Sequence, residues 1–153
     1  MTILSGQSIQ RRGILTPCYP RTAEGGLTYG LGPAGYDLRL VLKNGRPMHW
    51  LNPGEFLLAA AEEYFSMPTD TLGIVHDKSS LARKGLSVFN TVIEPGWHGY
   101  LTLELINHGR EPIELNAGQA IAQVVFHLLD EPTFQPYAGK YQHQEFGPQE
   151  ARQ

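Results

Sequence analysis

Short runs of apolar residues that alternate with polar ones recur along the chain, and glycine and proline separate them. Alternation with a period of two is typical of half-buried strands, and turn residues at short spacing are typical of an all-β fold. No long segment has the 3.6-residue period of an amphipathic helix, and no internal repeat is apparent. The candidate strands are 36–42, 56–67 (which we expect to form two strands), 72–76, 86–90, 100–107, 112–115 and 120–129.

Two segments depart from this pattern. The stretch SSLARKG, Ser79 to Gly85, predicts about one turn of helix, the only convincing one within this series of strands. From residue 130 the chain is rich in Pro, Gln and Gly, which predicts an irregular arm over 130–153. With 153 residues the chain has the size of one domain, so we expect a single β domain over 1–153 that ends in this arm.

Composition and charge narrow the function classes. With 12 Lys+Arg against 15 Asp+Glu the net charge is -3, which argues against extensive electrostatic binding to a nucleic-acid backbone. The only cysteine is Cys18, so neither an intramolecular disulfide nor a multi-cysteine metal site can form. Because no signal peptide or membrane-length apolar run is apparent, we expect a soluble, cytoplasmic protein without nucleic-acid or membrane partners.

Two short motifs match known sites only in part. The stretch GLGPAG, Gly30 to Gly35, fits the dinucleotide-binding pattern, but a strand-like segment follows it where a helix is needed. The stretch HQE, His143 to Glu145, is half of a zinc deaminase signature, and a chain with one cysteine cannot supply the other half. We therefore expect neither a Rossmann site nor catalytic zinc.

The strand GYLTLELINHG carries a carboxylate in an unusual place. Alternation puts Leu103 and Leu105 on one face and Thr102 and Glu104 on the other. Glutamate is depleted in strands and is rarely buried without a partner, so Glu104 is a candidate functional residue.

The stretch DKSSLARKG predicts a small anion site. A short helix that begins with Ser79 and Ser80 offers free backbone N–H groups and two hydroxyls, and Lys78 adds an ammonium group. Taken alone, the stretch also fits an ordinary capped turn.

Five stretches in this order resemble the family of dUTPases and dCTP deaminases: AGYDLRL, DKSSLARKG, IEPGWHGYLTLELIN, AGQAIAQVVF and YAGKYQHQ. The resemblance covers about residues 30 to 144. It implies a distorted jelly-roll β-barrel that assembles as a homotrimer, with active sites at subunit interfaces. Within the family, LTLEL and SSLAR resemble the deaminases, because dUTPases have no acid at the position of Glu104 and more often another residue at that of Arg83.

The resemblance therefore implies a dCTP deaminase, an enzyme that makes dUTP and ammonia without zinc. We expect Glu104 to be the general acid/base, Arg83 to hold it ionised and oriented, and Ser79 to position the water or the amino group. Mg²⁺ is expected to bind only through the triphosphate. The expected substrate-binding residues are Lys78, Ser80, Glu94, Thr102, Tyr137, Lys140 and Gln144, with the arm acting as a lid, in a neighbouring subunit's site.

Two departures from the family pattern leave alternatives open. The segment KGLSVFNTV (84–92) is shorter than the family pattern, and Glu94 stands where the family usually has aspartate. One alternative is a dUTP diphosphatase that makes dUMP and pyrophosphate, alone or as a second activity beside deamination. The other is a non-catalytic homologue that binds nucleotides.

Overall fold

A computed structural model describes residues 2–153, and over this range the chain forms thirteen strands and two α-helices. The helices are α1 (Gly6–Arg12) and α2 (Ser79–Ala82), and a 3-10 turn spans Lys43–Gly45. The strands are β1 (Thr2–Ile3), β2 (Leu15–Thr16), β3 (Thr22–Glu24), β4 (Leu27–Gly32), β5 (Gly35–Val41), β6 (Met48–Leu51), β7 (Phe56–Ser66), β8 (Thr71–Asp77), β9 (Leu86–Val88), β10 (Val92–Ile93), β11 (His98–Asn107), β12 (Ile113–Asn116) and β13 (Ala120–Leu128). The all-β expectation is confirmed.

Eleven of these strands form one curled antiparallel sheet. Its main path runs β10-β8-β13-β5-β7-β11-β9, and β1, β2 and β4 pair onto β13, β7 and β5, with β3 on β4. Only two register pairs, Leu40 with Ala61 and Val41 with Ala60, join β5 to β7. Strands β6 and β12 form a separate antiparallel pair.

The concave side of this sheet encloses the hydrophobic core, because alternate residues of each strand point inward. Phe65 lies near its centre, with ring centroids 5.9 Å from Trp97 and 6.5 Å from Phe126. All three side chains are buried. Neither helix of residues 2–153 has the length and apolar character needed to cross a bilayer.

The structure corrects two details of the predicted elements. The segment 56–67 forms one strand, β7, because β11 pairs with both of its ends and a bulge in β7 at residues 61–63 absorbs the irregularity. Helix α1 was not predicted, since seven residues give too little periodic signal. Its local signals are Arg11 and Arg12 in the last turn and Gly13, which ends it with φ of 62°.

The bulge in β7 lies beside the middle of β11, where three residues of β7 (61–63) stand opposite Leu101 alone. The register changes between Tyr100, opposite Tyr64, and Thr102, opposite Ala60. Beyond the bulge the predicted alternation holds: Leu103 and Leu105 are buried, and Glu104, opposite Leu58, lies on the other face.

Candidate active site

A cavity of about 510 Å³ opens on the Glu104 face of β11. Five of the predicted site residues line it: Glu94, Thr102, Glu104, Tyr137 and Gln144. Its other walls are largely apolar and come from the start of β7 (Phe56, Leu58), from 91–93, from Trp97 and Leu101, and from the arm (Tyr141 and residues 149–151).

Glu104 is half-buried in this cavity, and its position is fixed through the backbone. The N–H of Phe89 donates to the Glu104 carbonyl at 3.1 Å, so the link between β9 and β10 lies beside the residue. The Glu104 Oε2 atom is buried and accepts no hydrogen bond from residues 2–153. Burial raises the pKa of the Glu104 carboxyl above its ordinary value. A carboxyl group that has a raised pKa and belongs to a residue lining a cavity is suited to proton transfer.

A second carboxylate, Glu94, lines the same cavity from the turn after β10. The Glu94 carbonyl accepts a hydrogen bond from the Trp97 N–H at 3.1 Å, which closes the turn that leads into β11. Glu94 and Glu104 thus enter the cavity from two different segments of the chain.

The arm 130–153 has no regular helix or strand, as predicted, but it packs against the cavity of its own chain. Gln144 forms an isolated β-bridge with Gly99, and its carbonyl accepts from the Tyr100 N–H at 3.0 Å. The Trp97 indole N–H donates to the Tyr141 carbonyl at 2.7 Å. Within one chain, Gln144 therefore lies on the same cavity as Glu104.

Thr102 links β11 to the arm. Its hydroxyl donates to Gln144 Oε1 at 3.3 Å and accepts from the Gln149 N–H at 3.0 Å. Thr102 and Gln144 are both buried, each about 8% exposed. Two of the predicted substrate-binding residues, Thr102 and Gln144, are therefore brought together within one chain.

The predicted residues of the SSLAR segment lie elsewhere. Ser79 and Ser80 are exposed on α2, Arg83 is exposed directly after it, and none of the three lines the cavity. The Arg83 guanidinium donates to the Ser79 carbonyl of its own helix at 3.2 Å. The predicted contact between Arg83 and Glu104 is not formed within one chain, because no ion pair joins them among residues 2–153.

Lys78 and Lys140 also lie outside the cavity lining. The Lys78 ammonium is buried and forms an ion pair with Asp37 Oδ2 at 2.9 Å. Lys140 is exposed, and its ammonium donates to the carbonyl of Arg152. The structure therefore gives both predicted substrate-binding lysines a partner within the chain.

Several lining residues were missed by the sequence analysis. Trp97 and Tyr141 lie inside the motifs IEPGWHGYLTLELIN and YAGKYQHQ, so closer attention to the aromatic residues of these motifs could have found them. Nothing local marks Leu58 or Gln149, because each reaches the cavity through pairing with distant residues. Among residues 2–153, no three His, Cys, Asp or Glu side chains are grouped so that they could hold a metal ion.

Comparisons with known proteins identify the family of the chain. The family profile described as dCTP deaminase-like matches residues 41–129, more than half of the chain. The chain belongs to this family. It is 39% identical to the dCTP deaminase of Pyrococcus horikoshii over 73% of this chain and 78% of that protein. It is 36% identical to the dCTP deaminase of Roseiflexus castenholzii over 94% of this chain and 96% of that protein.

Two further comparisons concern a relative with a different printed activity and a solved structure of similar fold. This dCTP deaminase-like chain is 41% identical to a Methanopyrus kandleri protein named "dCTP deaminase, dUMP-forming", over 60% of this chain and 50% of that protein. A solved dUTPase from phage phi11 of S. aureus matches with a TM-score of 0.57 and 18% identity, covering 77% of this chain and 88% of that one. The likeness to the phage dUTPase concerns the fold alone.

Proposed function

We propose that this chain is a dCTP deaminase, which hydrolyses dCTP to dUTP and ammonia. The observation that carries the proposal is Glu104, a half-buried residue that lines a cavity of about 510 Å³ and whose carboxyl has a raised pKa and one buried oxygen without a hydrogen bond. The family membership and the relatives named dCTP deaminase support the same activity.

In the proposed reaction Glu104 carries a proton in both directions. Its carboxylate takes a proton from a water molecule whose oxygen bonds to C4 of cytosine. The protonated carboxyl gives this proton to the ring nitrogen N3. The carboxylate then takes the remaining proton of the new C4 hydroxyl and delivers it to the amino group, so that the C4=O bond forms, the C4–N bond breaks and ammonia leaves. A positioned acid/base group of this kind contributes about 10²- to 10⁴-fold, most effectively when its pKa lies near the working pH.

The triphosphate needs positive charge that the cavity lining of residues 2–153 does not supply. Glu94, Glu104 and Glu150 line it, and no lysine or arginine does. We propose that Mg²⁺ enters with the nucleotide, held by phosphate oxygens and supplying charge neutralisation. We propose that Lys78, Ser80 and Lys140 are the protein residues that bind the triphosphate. Ser79 is proposed to position the water molecule or the amino group.

We further propose that the curled sheet is part of a distorted jelly-roll barrel that assembles as a homotrimer. This would explain why Arg83 and Glu104 do not meet within one chain, since Arg83 would reach the Glu104 cavity of a neighbouring subunit. Arg83 would then hold Glu104 ionised, because a nearby guanidinium lowers the pKa that burial raises.

The test is turnover of dCTP by the purified protein and by Glu104→Gln, with and without Mg²⁺. We expect ammonia and dUTP from the wild type and a kcat lower by about 10²-fold or more in Glu104→Gln. Glu114→Gln, on an exposed position of β12, is the matched control. Appreciable deamination by folded Glu104→Gln would refute the role of Glu104, and binding without turnover by the wild type would favour a non-catalytic homologue.

A second candidate is a bifunctional enzyme that also releases pyrophosphate. Glu94 gives the cavity a second carboxylate, and the Methanopyrus kandleri relative is named dUMP-forming. In the same assay this activity would yield dUMP and pyrophosphate, and Glu94→Gln would abolish the pyrophosphate. Pyrophosphate from dUTP alone, without ammonia from dCTP, would identify a dUTP diphosphatase.

A further inference from the structure

The three-residue bulge of β7, residues 61–63, stands opposite a single residue of β11, Leu101. Leu101 lines the cavity, and so do Thr102 and Glu104, which follow it on the same strand. A bulge bends its strand and re-aims the side chains beside it, and bulges are common next to active sites. The conformation of 61–63 therefore affects how β11 presents Thr102 and Glu104 to the cavity.

The carboxyl of Glu63, the last residue of this bulge, accepts hydrogen bonds where the register of β5 with β7 ends. The last register pair is Leu40 with Ala61. The neighbouring N–H of β5, that of Arg39, donates to Glu63 Oε2 at 3.2 Å, and the Tyr36 hydroxyl donates to Oε1 at 3.2 Å. Because only two register pairs join β5 to β7, these hydrogen bonds are a large part of the connection that holds the bulge in place.

The Glu63 carboxyl is fully buried, and no ion pair among residues 2–153 includes it. The Arg39 guanidinium lies 3.1 Å from Glu62 Oε2 and donates to the Gly118 carbonyl at 2.8 Å. An ionised Glu63 is therefore a buried charge without a paired cation, and such a charge costs free energy.

Three other titratable groups lie around Glu63. They are the Tyr36 hydroxyl of β5, the Glu62 carboxyl of β7 and the Cys18 thiol of the segment after β2. None of the three carries a positive charge in either protonation state. Burial raises the pKa of Glu63 to about 7, and the charge of Glu62 acts in the same direction. The bulge therefore contains a group that ionises near neutral pH.

We propose that Glu63 is a positioning residue for the reaction at Glu104, and that its protonated carboxyl holds the bulge in the conformation that presents Thr102 and Glu104 to the nucleotide. An ionised Glu63 is more stable in water than in the buried site, so it moves outward and the rest of 61–63 moves with it. Glu63 does not line the cavity and acts through β11. The proposal rests on the proposed function, because it takes Glu104 as the acid/base group.

The test is the kcat for deamination of dCTP by the wild type and by Glu63→Gln, measured at a series of pH values. Dividing the wild-type kcat by the variant kcat removes the titration of Glu104, which both proteins share. The ratio should fall by about tenfold as the pH rises from the ordinary glutamate pKa to about 7, and then stay constant. The pKa values of the displaced and the buried carboxyl limit the fall to about 300-fold. A ratio that does not vary with pH would overturn the proposal.

Glu62→Gln is the matched control, because it removes the neighbouring carboxylate of the same bulge and keeps the titrating one. The Glu62 side chain is 29% exposed and pairs with Arg39. The kcat of Glu62→Gln should decline relative to Glu63→Gln over the same pH range as the wild-type kcat. A decline that disappears in Glu62→Gln and persists in Glu63→Gln would assign the effect to the wrong carboxyl.

Tyr36→Phe tests the same carboxyl without replacing it. The variant removes a hydrogen bond that favours the ionised form of Glu63, so the pKa of the buried carboxyl rises further. The decline in kcat should then continue to a pH higher by up to about one unit, the effect of one hydrogen bond to a charged group. A decline that ends at lower pH in Tyr36→Phe than in the wild type would contradict the proposal.

The fluorescence of Trp97 gives a readout that does not depend on deamination. Trp97 lines the cavity, and its ring centroid is 5.9 Å from that of Phe65 on β7. The only other tryptophan is Trp50, so Trp50→Phe leaves Trp97 as the single emitter. Between the ordinary glutamate pKa and about 7, the emission should change more in Trp50→Phe than in the double variant with Glu63→Gln. An equal change in the two proteins would overturn the proposal.

The two measurements separate this proposal from the proposed function. Absence of ammonia from dCTP with the wild type at every pH refutes the proposed function, and the fluorescence then decides whether Glu63 controls the cavity wall. If ammonia forms while the kcat ratio and the fluorescence difference do not vary with pH, the proposed function stands and Glu63 has only a structural role.

Discussion

The Tyr36 hydroxyl donates to the buried carboxyl of Glu63 at 3.2 Å, and this contact joins β5 to β7. The Glu63 carboxyl also accepts from the Arg39 N–H at 3.2 Å. Burial raises the pKa of Glu63 to about 7 despite these hydrogen bonds. The carboxyl therefore holds its proton more tightly in the folded chain than in the unfolded chain.

This difference predicts a pH dependence of the free energy of unfolding. The contribution of Glu63 is fully present below the ordinary glutamate pKa, where both states are protonated, and is lost as the pH rises through about 7. The loss reaches about 3 kcal/mol, since each pKa unit is worth about 1.4 kcal/mol. Urea unfolding at a series of pH values from 4 to 8 measures it.

Glu63→Gln isolates this contribution, because an amide does not titrate. The variant should lose the decline in stability between the ordinary glutamate pKa and about 7, whereas Glu131→Gln, at an exposed position, should keep it. A decline of equal size in Glu63→Gln and the wild type would show that other groups cause it.

The buried ion pair between Lys78 and Asp37 makes a second prediction. The two groups are 2.9 Å apart, and their side chains are only 9% and 12% exposed. Asp37→Asn leaves the Lys78 ammonium without its charged partner, and removing one member of a buried pair typically costs about 3 to 5 kcal/mol. Urea unfolding should show this loss.

The double variant Asp37→Asn with Lys78→Met tests the cause. With both charges removed, most of the lost stability should return. Additive losses in the double variant would mean that the two charges do not stabilise each other.

The sequence predicted the features that depend on the local pattern of apolar and polar residues, namely the strands and the faces that they bury. The period of two identified the strand with Glu104 and assigned Leu103 and Leu105 to the core, because alternation is a property of each strand alone. It could not predict the partner of Lys78, since Asp37 lies 41 residues away in the chain. The same limit applies to Gln149, which reaches Thr102 across 47 residues.

Gly99 permits the close contact between β11 and the arm, which gives a third prediction. Its φ is 150°, and a Cβ there would lie 2.7 Å from the Gln144 backbone nitrogen. Gly99→Ala should displace the arm and remove Gln144 from the cavity, lowering kcat/KM by about tenfold or more. Faster cleavage of the arm by protease should accompany the loss.

Gly147→Ala is the matched control, because Gly147 also has a positive φ, 93°, but a Cβ there would meet nothing within 4 Å. It should cost only the backbone strain, about 1 kcal/mol, and keep the arm in place. Equal loss of activity in the two variants would contradict a specific role for the Gly99 contact.

The separation of Arg83 from Glu104 within one chain leads to the last prediction, which follows from the proposed trimer. If each site combines Glu104 of one subunit with Arg83 of a neighbour, Arg83→Ala and Glu104→Gln are each inactive as homotrimers. In trimers formed at random from equal amounts of the two, about a quarter of the sites receive both intact residues. Mixing after partial unfolding and refolding should therefore recover about a quarter of wild-type kcat.

The control is a mixture of Glu104→Gln with the double variant Arg83→Ala and Glu104→Gln, in which no site can receive an intact Glu104. This mixture should stay inactive. Sedimentation measures whether mixed trimers have formed. If they have formed and the first mixture also stays inactive, Arg83 and Glu104 act within the same chain. The α2 helix would then have to move toward β11 to bring Arg83 to Glu104.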